Sequence, residues 1–293
     1  MHETDPSSAF SPASRRAILS GLGFGAVCLG ALAYSIGLEP AWVRLRRLKV
    51  ALAGLPPEFD GLKIGLIADI HHTCHGLPPF LRRAFAMMRL ARPDLVAVVG
   101  DISDSLPCAA EAAEAVAEIA PPLGIFFVPG NHDYLVWHSR MKPSVYLAEA
   151  KFAALEARGL RVLRNRTEFI QRGAKRMPVV GLDDLWSGFL DARAALSGVR
   201  SGPAIILVHN PDALPALENA PPSLLLAGHT HGGQVVLPFL GPPIVPVRDK
   251  RYIHGLYRTA GHTLYVSCGV GYLRRIRFNC RPEVVLLELI REV

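Results

Sequence analysis

From about residue 43 to the C-terminus, short apolar runs alternate with amphipathic stretches. Lys63 to Ile70, Leu95 to Gly100 and Ile125 to Pro129 are near-continuous apolar runs of strand length, so each predicts a strand buried on both faces. Residues 78–91, 109–120 and 145–158 predict helices between and after them. In 109–120 the charges are Glu111, Glu114 and Glu118, a one-faced pattern that predicts a surface helix. This alternation predicts βα units around a sheet. After residue 160 the apolar runs crowd together, at 161–163, 178–181, 204–208, 223–227, 234–237, 263–267 and 283–290. That crowding predicts a second, more antiparallel sheet. Pro-rich stretches at 121–122, 221–222 and 242–246 predict loops.

The N-terminus breaks the pattern. Residues 17–38 carry no charge, a run of 22 that could cross a bilayer core as a helix. It follows Ser14-Arg15-Arg16-Ala17-Ile18-Leu19. Paired arginines ahead of a Gly/Ala-rich apolar stretch are similar to a twin-arginine export signal. Ala31-Leu32-Ala33 offers a small-residue cleavage site, whereas Val27 precedes Cys28 where lipidation wants a small residue. Arg15 and Arg16 flank one end of the run, and Arg44, Arg46, Arg47 and Lys49 follow the other, so the charges set no orientation. The second group suits the first strand of a folded domain. The expected organisation is a signal or transmembrane segment over residues 1–40 and a folded domain over residues 43–293. Cleaved signal and retained anchor both remain open. Either places the protein in the cell envelope, anchored in the inner membrane or exported.

Composition narrows the class. The chain has 293 residues, 50% hydrophobic and 19% charged, which excludes a disordered, collagen-like or disulfide-stapled protein. Lys and Arg number 32 against 25 Asp and Glu, a net charge of +7. That balance suits an anionic substrate or an anionic membrane surface and is too diffuse to argue for nucleic acid. Cysteines stand at 28, 74, 108, 268 and 280 with no C-x-x-C pair, which argues against a disulfide framework or a structural zinc. They read as small buried hydrophobes. Cys74 stands apart beside a histidine cluster.

Polar clusters recur where apolar runs end: Asp69-Ile70-His71-His72, Gly100-Asp101-Ile102-Ser103-Asp104, Gly130-Asn131-His132-Asp133, His209-Asn210 and Gly228-His229-Thr230-His231. In α/β sheets ligands gather at the carboxyl ends of strands, so these five ends would converge on one crevice. Imidazole with carboxylate and amide oxygen suits Mn, Fe or Zn, with Mg also open. Asp69, His71, Asp101, Asn131, His209, His229 and His231 are too many donors for one ion. They suit two, with a bridging carboxylate. Glycines before Asp101, Asn131 and His229 would let the backbone turn sharply off each strand.

These blocks, in this order, resemble the calcineurin-like metallophosphoesterase superfamily: Asp69-x-His71, Gly100-Asp101-x-x-Asp104, Gly130-Asn131-His132-Asp133, His209, and Gly228-His229-x-His231. The resemblance covers about residues 45–293. It runs closest to the membrane-associated or twin-arginine-exported bacterial phosphodiesterases, through Gly181-x-Asp183-Asp184, Leu207-Val-His-Asn-Pro-Asp212, Gly228 to Gln234, and Gly269-Val-Gly271 with Arg281-Pro-Glu283. It implies an α/β fold, a four-layer α-β-β-α sandwich of two packed mixed sheets flanked by helices. It also implies two divalent metal ions. Asp69, His71 and His231 would hold the first, Asn131, His209 and His229 the second, and Asp101 would bridge. His132 would serve the leaving group, with Asp104 orienting it. The implied reaction is hydrolysis of a phosphoester by a hydroxide generated at the metal pair.

Asp104 is followed by Ser105-Leu106, not by the Arg-Gly of the Ser/Thr protein phosphatases, which speaks against a phosphoprotein substrate. A phosphodiester or pyrophosphate bond of an envelope lipid or nucleotide-linked substrate is expected. A UDP-linked diacylglucosamine, as in lipid A assembly, is one candidate by resemblance. It requires a cytoplasmic site, whereas a twin-arginine signal places the domain outside. The alternatives are a phosphomonoesterase or nucleotidase of the same fold, and a catalytically silent metal-binding scaffold. Arg274, Arg275 and Arg277, with Arg281, form a basic cluster that could bind a second phosphate or a lipid headgroup. His72 and His75 are expected on the substrate side or in an exposed loop, Asp133 as a turn cap, and Asp183-Asp184 as a loop near the site. Trp137 is expected either to cap substrate or to pack.

Overall fold

The computed structural model describes residues 12–73, 76–199, 202–259 and 261–292. Cys74 and His75 lie outside that set. Two six-stranded mixed sheets pack face to face. The first contains β1 (Arg44–Leu52), β2 (Lys63–Ile67), β3 (Leu95–Val99), β4 (Ile125–Val128), β5 (Leu160–Val162) and β12 (Glu283–Arg291), in the order β1-β12-β2-β3-β4-β5. The second contains β6 (Arg166–Arg172), β7 (Lys175–Gly181), β8 (Ile205–Leu207), β9 (Ser223–Ala227), β10 (Gly255–Thr259) and β11 (His262–Val266), in the order β10-β11-β9-β8-β7-β6. Its centre is parallel, with β7, β8, β9 and β11 running the same way and antiparallel pairs only at the two edges. With two antiparallel pairs against the first sheet's one, the second sheet is the more antiparallel of the two, as expected, although its centre is parallel. Crowded strands still cross over through the turns of residues 182–204 and 208–222.

Side-chain alternation explains the layering. Leu95, Ala97 and Val99 point between the sheets, where they meet Ile205, Leu207, Leu224 and Leu226. Val96 and Val98 point the other way, onto α2 (Pro79–Ala91), α3 (Leu106–Ala117) and α4 (Val145–Glu156), through Phe85, Met88, Ala112, Val116 and Phe152. Each fully buried Val, Leu, Ile or Phe contributes about 1.5–3 kcal/mol. The outer face of the second sheet carries a thinner layer. There α5 (Ala192–Leu196) and a 3₁₀ turn at Pro211–Leu217 cover Val180, Ile206 and Leu225.

Residues 234–237, expected as a strand, form no ladder. Val235 makes a single bridge to Phe278, and Leu237 closes a tight turn onto Gly241. Strands β6 and β10 were not anticipated. Both are edge strands with exposed faces, so neither shows a continuous apolar run. Helix α1 (Pro12–Ala33) presents Leu19, Leu22, Val27 and Leu29 outward. Residues Leu19–Ala41 are long and apolar enough to cross a membrane. Cys108, Cys268 and Cys280 are buried, as expected of small hydrophobes, but Cys28 is exposed, and Cys108 is disulfide-bonded, against the expectation of no disulfide.

Candidate metal centre

The five polar clusters meet at one end of the two sheets. Asp69 follows β2, and its backbone N–H donates to the Gly100 carbonyl at 3.2 Å, tying the β2 and β3 ends together. His71 N–H does the same to the Asp101 carbonyl at 2.9 Å. Asp69, His71 and His231 form one group of ligand atoms, and Asp101, His209 and His229 another. Asp101 joins them. Its Oδ2 lies 3.5 Å from His71 Nε2 and 3.2 Å from His209 Nε2, while Oδ1 accepts the His132 backbone N–H at 2.9 Å.

The local backbone is unusual. Asp69, His71, Asp101, His229 and His231 all lie at positive φ, between 44° and 69°. Such conformations cost a non-glycine residue about 1–3 kcal/mol, and they cluster where geometry serves a site. Gly100 also lies at φ 78°, and a Cβ there would run into the His209 ring. Gly228 makes room in another way, since a Cβ would sit 2.6 Å from Asp69 Oδ2. The glycines before Asp101 and His229 thus admit a neighbouring ligand as well as a turn.

The donor set fits cations. His71 Nε2 lies 3.1 Å from His231 Nε2, and His209 Nε2 lies 3.2 Å from His229 Nδ1, so nitrogens face nitrogens around a shared space. Asn131 Oδ1 is buried with no hydrogen-bond partner, while its Nδ2 donates to the Val136 carbonyl at 2.5 Å. Partner carbonyls fix the rings. His209 Nδ1 donates to Val99 O at 2.9 Å and His229 Nε2 to Pro246 O at 3.0 Å, which turns the other nitrogen of each inward. Burial lowers His71 to about 4 and, with His209 beside it, His229 to about 3. Burial also holds His231 well below its ordinary value. All three are thereby neutral imidazoles, the form that binds metal. Burial pushes Asp69 up to about 7, with the Asp101 charge adding to it against His209. A cation between the two carboxylates would relieve that cost.

His132 stands at the rim. Its Nδ1 is 2.8 Å from Asp104 Oδ1, which leaves Nε2 for a substrate. Burial opposes its charge, but Asp101 and Asp104 outweigh burial and raise its pKa. Its ring contacts His71 edge-on at 4.7 Å, and the half-exposed Trp137 lies 6.5 Å away. Trp186, which sequence reasoning missed, packs edge-on against His229 at 4.5 Å. No motif marks it, because it arrives from the loop after Asp183-Asp184.

Other expectations need revision. Asp133 is more than a turn cap: its carboxylate accepts from Asp101 N, Ile102 N and Gly130 N at 2.9, 3.1 and 2.8 Å. His72 is buried rather than in an exposed loop; it pairs with Glu111 Oε2 at 2.8 Å and lines a small cavity together with His71 and Asp104. Arg277 is fully buried and donates to the carbonyls of Cys268, Gly271 and Cys280, so it is out of reach of a headgroup. Arg274 and Arg275 are exposed. Asp183 accepts from Tyr134 and Arg164, and Asp184 from the Ser187 N–H, so both brace the adjoining loop. Lys151 is buried and reaches the carbonyls of Ser103 and His132 at 3.1 and 3.3 Å, another role the sequence did not signal.

Two packed mixed sheets with buried His and Asp clusters at the strand ends define a metal-dependent phosphoesterase. The calcineurin-like phosphoesterase pattern matches residues 62–233, more than half the chain, and the protein belongs to that family. It is 32% identical over 286 residues to phosphodiesterase YaeI of Escherichia coli strain K12, covering 96% of this chain and 98% of the relative. It is 34% identical over 290 residues to the uncharacterized metallophosphoesterase YkuE of Bacillus subtilis strain 168, covering 94% and 97%. It is 25% identical over 305 residues to the UDP-2,3-diacylglucosamine pyrophosphatase LpxG of Chlamydia trachomatis serovar D, covering 87% and 92%.

Proposed function

We propose that this chain hydrolyses a phosphodiester or pyrophosphate bond of a lipid-linked or nucleotide-linked substrate at the cell envelope, with two divalent cations of the Mn, Fe or Zn type. The observation that carries the reading is the single oxygen, Asp101 Oδ2, placed between two groups of imidazole and carboxylate donors. Asp69, His71 and His231 would hold one cation, Asn131, His209 and His229 the other, and Asp101 both. When bound, such a pair neutralises charge on phosphoryl oxygens and supplies a nucleophile at neutral pH.

The chain's own residues do the rest. His132 keeps a proton at Nε2, aimed into the site, for the departing oxygen. Asp104 fixes that tautomer through Nδ1. Trp137 and Trp186 wall the opening and limit water. A cleft of about 810 Å³ is bounded by Trp186, Arg248 and Arg251, and it neighbours the centre only through Trp186, which packs against His229. The names of phosphodiesterase YaeI and the pyrophosphatase LpxG support a bond with substituents on both sides. Residues 1–40 are read as the anchor or signal, and residues 43–293 as the phosphoesterase domain.

The test uses the full chain in detergent, loaded in turn with Mn, Fe, Zn or Mg. A chromogenic phosphodiester should turn over faster than its monoester, and Asp101→Asn should abolish both activity and the second equivalent of metal. Faster monoester cleavage would point to a nucleotidase or phosphomonoesterase. Two bound metals with no turnover on any phosphoester would point to a scaffold.

A further inference from the structure

A small apolar finger stands beside the centre. Leu237 and Gly241 exchange backbone hydrogen bonds at 3.0 and 2.9 Å, which forces Pro238, Phe239 and Leu240 into a hairpin tip. Phe239 is fully exposed and sits at φ 66°, a left-handed conformation that a bulky aromatic rarely adopts. Leu240 and Ile244 are 82% and 78% exposed. Water gives no reason to hold a phenyl ring out in a strained turn.

The finger's root is tied to two neighbours. Gln234 Nε2 donates to the carbonyls of Arg274 and Ile276 at 3.2 and 3.0 Å, and its Oε1 accepts from Leu273 N–H at 3.2 Å. The finger is thus stapled to a loop that exposes Leu273, Arg274 and Arg275. Phe278 is the second tie. It exchanges backbone bonds with Gln234 and Val236 and meets Tyr34, at the end of α1, with ring centroids 6.5 Å apart. The Arg277 N–H donates to Ser35 O at 2.9 Å, and Glu39 accepts from Asn279 N–H at 2.9 Å. Finger, basic loop and the base of the long apolar helix therefore form one continuous face.

We propose that this face seats on a lipid bilayer, with Phe239, Leu240 and Ile244 inserted among acyl chains and Arg274 and Arg275 on anionic headgroups. Continuity with a helix of membrane-crossing length selects lipid as the occupant, and the basic rim complements an anionic surface. The seating orients the metal centre. Leu273 lines a cavity of about 230 Å³ together with His71 and Asp104, so the centre opens toward the headgroup layer. The ring of Pro242, at the finger's return, packs against Gly233, two residues from His231. Insertion does not depend on the chemistry at the centre, so it stands or falls separately from the phosphoesterase reading.

The test reconstitutes the full chain into phosphatidylcholine vesicles containing phosphatidylglycerol. An environment-sensitive fluorophore is placed at Phe239→Cys in a Cys28→Ser background. Leu240→Cys gives an independent second position should the first variant fold poorly. Leu90→Cys is the control, since Leu90 is 80% exposed outside this face. The expected result is blue-shifted emission at 239 and 240, quenched several-fold by brominated acyl chains, with neither effect at 90. Adding Arg274→Gln and Arg275→Gln should remove the dependence of quenching on phosphatidylglycerol. Emission at 239 and 240 matching that at 90 overturns the proposal. So does a blue shift that brominated lipid fails to quench and that grows with protein concentration, which would put a second copy of the chain on the finger.

Discussion

Asp104 does not belong to the group of metal donors, yet it meets the one imidazole of the centre that is left over. His132 contributes no atom to the Asp69 or His209 groups, although its ring lies in reach of His71 and Asp101, and its Nδ1 is occupied by Asp104. Removing its ring should leave metal content intact while the reaction slows. His132→Ala should lower kcat about 10²–10³-fold on a diester with a poor leaving group. The loss should shrink as the leaving group's own pKa falls, because a good leaving group needs no proton. Asp104→Asn should cost about tenfold and leave binding of two metals unchanged. A uniform loss across leaving groups, or loss of metal with either variant, would remove His132 from the proton-donor role.

At the scale of elements, the centre is a set of strand ends splinted by groups that never touch the reaction. Asp133 accepts three backbone N–H groups from the β3 and β4 ends, and Lys151 from α4 holds the carbonyls of Ser103 and His132. Asp133→Ala would leave three buried donors unpaired. It should destabilise by on the order of 3 kcal/mol or more, read as a drop in the thermal midpoint, with a matching loss of metal affinity. An unchanged midpoint would mean the loops hold their shape without it. This splint also marks what was legible in the sequence. The donors of the centre were legible because each sits directly behind an apolar run, in residue types that few other roles require. Lys151, Trp186 and the burial of Arg277 were not, since their partners lie far away along the chain and their types are common in other roles. The 234–237 segment misled for a related reason. A short apolar run resembles a strand whether it faces a core or, as in the finger beyond Leu237, stands out from it.

For the whole molecule, one carboxylate ties the C-terminal strand to both sheets. Glu283 opens β12. Its Oε1 accepts from Tyr265 on β11 at 2.8 Å and lies 3.2 Å from His254 Nε2, while Oε2 accepts from Arg44 on β1 at 3.1 Å. Burial alone would raise Glu283, but His254, Arg44 and the Tyr265 hydroxyl outweigh it and lower the pKa to about 2. Burial would lower His254, but its bonds to Cys268 and Glu283 raise it to about 9. A depressed carboxyl stabilises the fold above its unfolded value of 4.5 and loses that contribution as pH falls toward 2. A raised imidazole contributes fully below 6.5 and loses its share as pH rises through about 9. The two windows overlap between 4.5 and 6.5. The stability difference between the natural chain and Glu283→Gln should therefore be greatest there, at most about 3 kcal/mol. It should decline on both sides when denaturant midpoints are compared across pH. Taking the difference cancels the metal-site carboxylates and imidazoles, which titrate alike in both proteins. A difference that stays flat from pH 3 to 10 would show that Glu283 holds the sheets together by shape and hydrogen bonding rather than by charge.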